Sequence, residues 1–169
     1  MAFRYTRRVQ FAETDMAGIV HFAEFFRYME EAEHALWRAA GMSIAKSNDD
    51  LGWPRVSAQF DFKAPLRFED EFDVHVTMGK VTRSTITWEC RLARGETAIG
   101  EGSSTTVHVQ KRVDGAMKSA EIPKHILDAL PGAAGQACPP RLGQRAVTAR
   151  RSRSSARSAH SVSRPQSSI

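Results

Sequence analysis

At 169 residues with 41% hydrophobic side chains, the chain suits one domain with a modest core. Its formal charge of +5 is unevenly spread: residues 1–132 carry all 19 acids against 17 Lys and Arg (17 − 19 = −2), and residues 133–169 carry seven Arg and no acid (+7). The basic pI near 9.6 therefore belongs to the tail, so charge does not mark the body as nucleic-acid-binding.

No apolar run is long enough to span a bilayer, and residues 1–20 lack a secretory core, so a cytoplasmic protein is expected. Two cysteines give no disulfide framework. Cys90 reads as a small buried hydrophobe in a strand, and Cys138 as a free thiol in the tail.

In chain order, Phe3, Tyr5, Val9 and Phe11 alternate loosely and predict a first strand over 3–11. Residues 12–18 form a turn in which Gly18 can adopt a conformation closed to other residues. From about His21 to Ala40, Phe22, Phe25, Phe26, Met29, Ala32, Leu36 and Ala40 recur in steps of three and four. They predict one apolar face of a long helix. Glu24, Arg27, Glu31, His34 and Arg38 lie on the opposite face, and Gly41 supplies the stop.

Residues 43–51 read as a polar loop. Four strands are then expected at about 54–65, 71–81, 84–94 and 97–112, with turns marked by Gly79, Gly95 and Asp114-Gly115. Residues 123–130 predict a short closing helix. One long helix followed by successive strands suits an α+β domain, 1–132, with an antiparallel five-stranded sheet wrapped around the helix. Residues 133–169 are Arg/Ser-rich, with eight Ser and few large apolar side chains, and are expected to be a disordered tail.

Chemistry concentrates in residues 9–22, where one carboxylate, Asp15, occupies a short turn between the first strand and the long helix. An acid beside the free amides of a helix start can attack or direct water while the amides stabilise a developing oxyanion. The structural alternative for Asp15 is a turn or cap residue.

The same stretch resembles the 4-hydroxybenzoyl-CoA thioesterase family of hot-dog acyl-CoA thioesterases. Asp15, Gly18, Ile19, Val20 and Phe22, followed by Phe25, Phe26 and Tyr28, match its first motif. Trp53-Pro54-Arg55-Val56-Ser57 and Lys63-Ala64-Pro65-Leu66-Arg67-Phe68-Glu69-Asp70-Glu71 match two further segments in the right order, so the resemblance covers about residues 3–130.

It implies hydrolysis of an acyl-CoA with Asp15 as nucleophile or general base, the Phe22 amide as oxyanion donor, and Gly18 allowing close approach of substrate. His21 is implied as a supporting residue, at a position more often a packing ring. Glu30 would lie near an aromatic acyl ring or stand in solvent. Trp53, Pro54 and Ser57 would line the acyl pocket, or simply start a strand. Lys80 and Arg83 would meet the phosphates of CoA, or simply flank a turn. The implied assembly is a homodimer or homotetramer with sites shared between subunits. A five-stranded sheet on one helix independently leaves edges that pairing would cover.

Thioester hydrolysis needs little more, because a thiol with a pKa of about 8.5 leaves near neutral pH without a strong general acid. No Gly-x-Ser-x-Gly elbow is present. His34, His75 and His108 lack metal-ligand spacing, so neither metal nor cofactor is expected beyond CoA as part of the substrate. The competing readings are a hot-dog acyl-thioester hydratase or dehydratase, a non-catalytic acyl-CoA-binding module, and nucleic-acid binding by the tail. Phe25, Phe26 and Trp53 suit short-chain or aromatic acids.

Overall fold

The computed structural model describes residues 2–44 and 50–130. The tail expected to be disordered, residues 133–169 including Cys138, lies outside the described residues. Phe3–Arg8 form β1, a 3-10 turn spans Phe11–Glu13, and Glu24–Ala39 form the long helix α1. Then come β2 Leu51–Gly52, β3 Arg55–Phe62, β4 Glu71–Val81, β5 Thr85–Arg94, β6 Thr97–Val107, β7 Val109–Lys111 and β8 Met117–Ser119, closed by α2, Lys124–Ala129. Five strands pair antiparallel in the order β1-β4-β5-β6-β3, and β2, β7 and β8 make a second, three-stranded sheet.

The large sheet packs one face on α1, which is the α+β hot-dog arrangement. Its register follows from alternation: Val74, Val76 and Met78 of β4 stand opposite Leu92, Cys90 and Trp88 of β5. All six are buried with Tyr28, Met29, Ala32, Leu36 and Trp37 of α1 in one core. A slip of one residue would turn this set to the other face, so burial fixes the pairing. Gly102 of β6 is part of the fit, since a Cβ there would sit 2.7 Å from the Phe60 ring and 2.9 Å from Met29 Sδ. Its bareness lets Phe60 pack on Phe25 at 5.0 Å.

Several boundaries differ from expectation. β1 stops at Arg8 because the return bond of the next pair is lost: Val9 N–H still donates to Asp70 O at 3.0 Å, but Asp70 N–H turns to Arg67 O at 3.1 Å and the Val9 carbonyl accepts the Glu69 N–H at 3.2 Å. The helix starts at Glu24, not His21: the His21 carbonyl accepts the Glu24 N–H at 2.9 Å, and His21 Nδ1 accepts the Ala23 N–H at 3.3 Å. Residues 21–23 are therefore a turn. The buried helix face also includes Tyr28, Glu33 and Trp37, while Phe22 lies outside the helix and is 62% exposed. Gly79 stands inside β4 near a register shift and not in a turn. The run expected at 97–112 breaks at His108, and the loop at 43–51 ends in β2, which pairs with β7. Among the described residues, no helix is long and apolar enough to cross a membrane.

Candidate active site

The turn between β1 and α1 is a tight antiparallel ladder. Asp15 N–H donates to Ile19 O at 2.9 Å, Thr14 bridges Val20, and His21 N–H donates to Glu13 O at 2.8 Å. Gly18 closes it with φ +72°, a left-handed conformation that costs glycine nothing. Asp15 is exposed, and its Oδ1 accepts the Ala17 N–H at 2.8 Å. This is the turn-forming role available to any aspartate. It leaves Oδ2 without a hydrogen-bond partner among the described residues.

The segment Lys63–Glu71 holds the turn from below. Val20 N–H donates to Leu66 O at 2.8 Å, and Leu66 is fully buried. Arg67 N–H donates to Asp70 Oδ2 at 2.8 Å, and Arg94 pairs with the same carboxylate. Two of the three segments that carry the resemblance are thus one structural unit.

His21 spends its Nδ1 and its carbonyl on Ala23 and Glu24, and its ring lies 4.4 Å from that of Phe22. Among the described residues no acceptor is recorded for the Phe22 N–H, which sits at the amino end of α1 between satisfied neighbours. Phe11, Phe22, Phe62 and Phe68 are all at least half exposed; the Phe11 and Phe68 rings meet edge to face at 5.6 Å, and Phe62 meets Phe25 at the start of α1 at 5.2 Å.

The remaining expected site residues fall elsewhere. Trp53 and Pro54 line a cavity of about 320 Å³ with His34, Ile44 and Met117. Trp53 also packs on Trp37 at 5.1 Å and His108 at 4.7 Å. Trp37 lies thirteen residues beyond Glu24, which at about 1.5 Å per residue is about 20 Å along α1 from the Asp15 turn. One chain therefore does not bring Trp53 and Asp15 together. Phe25 is buried in the core.

Ser57 is exposed on β3, one of the two edge strands of the large sheet, and Glu30 is exposed and pairs with Arg55 at 3.4 Å. Lys80 and Arg83 are exposed at the β4–β5 turn. Arg83 borders a groove with Gln110, Lys118 and Ser119. Among the described residues, no group of three or more His, Cys, Asp or Glu is gathered.

Two polar clusters escaped the sequence reading. In the first, Glu13 accepts from Arg7 Nη2 at 2.5 Å, Arg7 Nη1 at 2.8 Å, Tyr28 Oη at 2.8 Å and the Gln10 N–H at 2.8 Å. Arg7 Nε also donates to Glu31 at 2.5 Å, and its guanidinium lies 4.5 Å from the Tyr28 ring centre. Burial alone would raise the Glu13 carboxyl, but the Arg7, Gln10 and Tyr28 hydrogen bonds outweigh it and hold it below the usual range. Burial and the Glu13 hydrogen bond push the Tyr28 hydroxyl up.

In the second cluster, the Glu33 carboxylate, 1% exposed, meets Arg55 Nη2 at 2.9 Å, and Arg55 Nη1 donates to Ser104 Oγ at 2.5 Å. Here burial outweighs Arg55 and pushes the Glu33 carboxyl up. Neither cluster shows a motif in sequence, because each joins residues that only the fold makes neighbours.

Comparison with known proteins gives consistent results. The model of the thioesterase-like superfamily matches residues 9–130. A protein of Aquifex aeolicus described as a candidate esterase is 34% identical over 131 residues, covering 77% of this chain and 98% of that one. The solved structure of a 1,4-dihydroxy-2-naphthoyl-CoA thioesterase from Synechocystis superposes with a TM-score of 0.70 at 25% identity, covering 76% of this chain and 95% of that one. The structure of a gentisyl-coenzyme A thioesterase gives a TM-score of 0.66 at 27% identity, covering 75% and 98%.

Proposed function

Because this chain belongs to the thioesterase-like superfamily, we propose that it hydrolyses an acyl-CoA thioester to the free acid and CoA, with Asp15 as the reacting carboxylate. The observation that carries this is the Asp15 turn itself: an exposed carboxylate whose Oδ2 has no hydrogen-bond partner among the described residues, on the ladder that leads into Phe22 ahead of α1.

In the covalent version, Asp15 attacks the thioester carbonyl, the C–S bond breaks, CoA leaves as thiolate, and water then cleaves the acyl-aspartyl anhydride. In the other version Asp15 takes a proton from water, which attacks directly. In both, negative charge on the carbonyl oxygen is met by the Phe22 N–H. Gly18 keeps the backbone bare beside the reacting carbon, and His21 supports the site by fixing the turn.

The pocket is completed by a second copy. Asp15 and the surrounding Phe rings are exposed in one chain, and β3 offers an unpaired edge with exposed Val56, Ser57 and Phe62. Antiparallel pairing of two β3 edges would carry one copy's Trp53–Pro54 end toward the other's Phe62 end, which packs on Phe25 at the start of α1. Glu30 would then face an acyl ring, and Lys80 and Arg83 the CoA phosphates.

The resemblance to 4-hydroxybenzoyl-CoA thioesterases holds at the level of the superfamily. The similar thioesterases reported above act on 1,4-dihydroxy-2-naphthoyl-CoA and gentisyl-CoA. An aromatic acyl group is favoured here, supported by the exposed rings of Phe22 and Phe68 and by Phe62 against Phe25 at the start of α1. The test is a panel of acetyl-, hexanoyl-, palmitoyl-, benzoyl-, 4-hydroxybenzoyl- and 1,4-dihydroxy-2-naphthoyl-CoA assayed by thiol release. Hydrolysis fastest on the aromatic esters is expected. No thiol release from any of them would refute the activity, and water addition to an enoyl-CoA would replace it with hydration.

A further inference from the structure

We infer that Glu13 is a positioning residue for the reaction: it fixes the Asp15 carboxylate and the Phe22 amide relative to one another by anchoring both to β1 and α1. This inference rests on the reading of Asp15 and Phe22 given above.

Glu13 is the one residue of the turn with two sets of ties. Through its backbone carbonyl it holds the His21 N–H at 2.8 Å, one residue before Phe22, and it stands two residues before Asp15. Through its carboxylate it is bound to Arg7 on β1 and Tyr28 on α1, as well as to the Gln10 N–H.

The turn is otherwise exposed at Asp15, Met16, Ala17 and Gly18, and an exposed hairpin tip fluctuates unless its base is fixed. The base here is a charge-assisted, two-pronged Arg–carboxylate pair, the strongest and most directional of the common side-chain hydrogen bonds. Its Glu13 and Arg7 side chains are 12% and 15% exposed, so water competes little. The Arg7 guanidinium also lies over the Tyr28 ring, 4.5 Å from its centre, so both side chains that hold the Glu13 carboxylate are packed on each other. The lowered Glu13 pKa and the raised Tyr28 pKa agree with an anchor that stays charged on one side and protonated on the other. Neither group needs to touch substrate to matter, because a reacting carboxylate misplaced by about 1 Å can lose on the order of 10²-fold in rate.

The experiment compares the full-length wild type with Glu13→Gln, Tyr28→Phe, Glu31→Gln and Asp15→Asn, using the acyl-CoA of the above panel that the wild type hydrolyses fastest. Glu31→Gln is the control, since it disturbs the same Arg7 without touching the turn. Glu13→Gln should lower kcat by at least about tenfold and leave KM within about threefold, while Glu31→Gln keeps kcat within about twofold even if its melting temperature falls as far. Tyr28→Phe, which removes one neutral donor and no charge, should fall between them, and it serves as the test if Glu13→Gln does not fold.

Wild-type kcat in Glu13→Gln and Tyr28→Phe, with Asp15→Asn inactive, would overturn the inference alone. Equal losses in Glu13→Gln and Glu31→Gln would reduce the cluster to general stability and overturn it as well. Full activity in Asp15→Asn, or no thioesterase activity in the wild type, would remove the reading beneath it.

Discussion

The Glu33–Arg55 pair allows a prediction worked from the structure. Arg55→Met removes the cation paired with a carboxylate that is 1% exposed, and leaves Ser104, 2% exposed, without the guanidinium at 2.5 Å. Breaking a buried pair on one side costs about 3–5 kcal/mol, since a charge is left in low dielectric with nothing to compensate it. The Arg55 side chain is 24% exposed, so some water replaces it, and a loss near the lower end, about 3 kcal/mol at pH 7, is expected.

Its pH dependence has a definite sign. Burial already holds the folded Glu33 pKa above the ordinary value despite Arg55, and loss of Arg55 raises it further. A carboxyl whose folded pKa exceeds its unfolded pKa costs stability above both, and the cost disappears as pH falls through the folded value. Urea unfolding at pH 7 and pH 5 should therefore show the deficit of Arg55→Met shrinking with acid, and the double variant Arg55→Met/Glu33→Leu recovering most of it. A loss below about 1 kcal/mol at pH 7, or one unchanged at pH 5, would refute the reasoning.

Two further outcomes follow from packing. Burial pushes the Cys90 thiol up to about 12, so at pH 8 it holds on the order of 10³-fold less thiolate than an ordinary thiol. In a Cys138→Ser background a thiol reagent should label Cys90 only after denaturant is added, and rapid labelling of folded protein would contradict its place in the core. Gly102→Ala would set a Cβ 2.6 Å from the Gln59 carbonyl, a cross-strand backbone atom that cannot move aside. A loss of about 1–3 kcal/mol in thermal unfolding is expected, and an unchanged melting temperature would show the sheet to be looser than described.

The large sheet was legible in sequence because its strands alternate so regularly. Phe72, Val74, Val76 and Met78 dictate one buried face, and β4 runs from Glu71, just before that pattern, to Val81, past a register shift after Met78. The helix was legible by its period but misplaced at its start. Phe22 continues the apolar spacing, yet the His21 carbonyl and ring nitrogen are hydrogen-bonding partners that no hydrophobic pattern encodes. The same limit hid Tyr28 and Glu33 as buried polar groups. Glu33 reads as a solvated helix charge until Arg55 and Ser104 are placed beside it by β3 and β6.

At the site, Asp15, Gly18 and Phe22 stood out because one short motif holds them. Glu13 did not, because its side-chain partners Arg7 and Tyr28 lie on either side of the turn and meet only when β1 packs on α1. The Trp53–Pro54 segment was legible as a unit but not its distance from Asp15, which depends on the length of α1.

The central claim is that the Asp15 carboxylate carries the chemistry, and kcat of Asp15→Asn tests it most directly. The substitution keeps the Oδ1 that accepts the Ala17 N–H, so circular dichroism and melting temperature should match the wild type. Thiol release under saturating acyl-CoA should fall by at least about 10²-fold. Turnover at the wild-type rate by this folded variant would contradict the account.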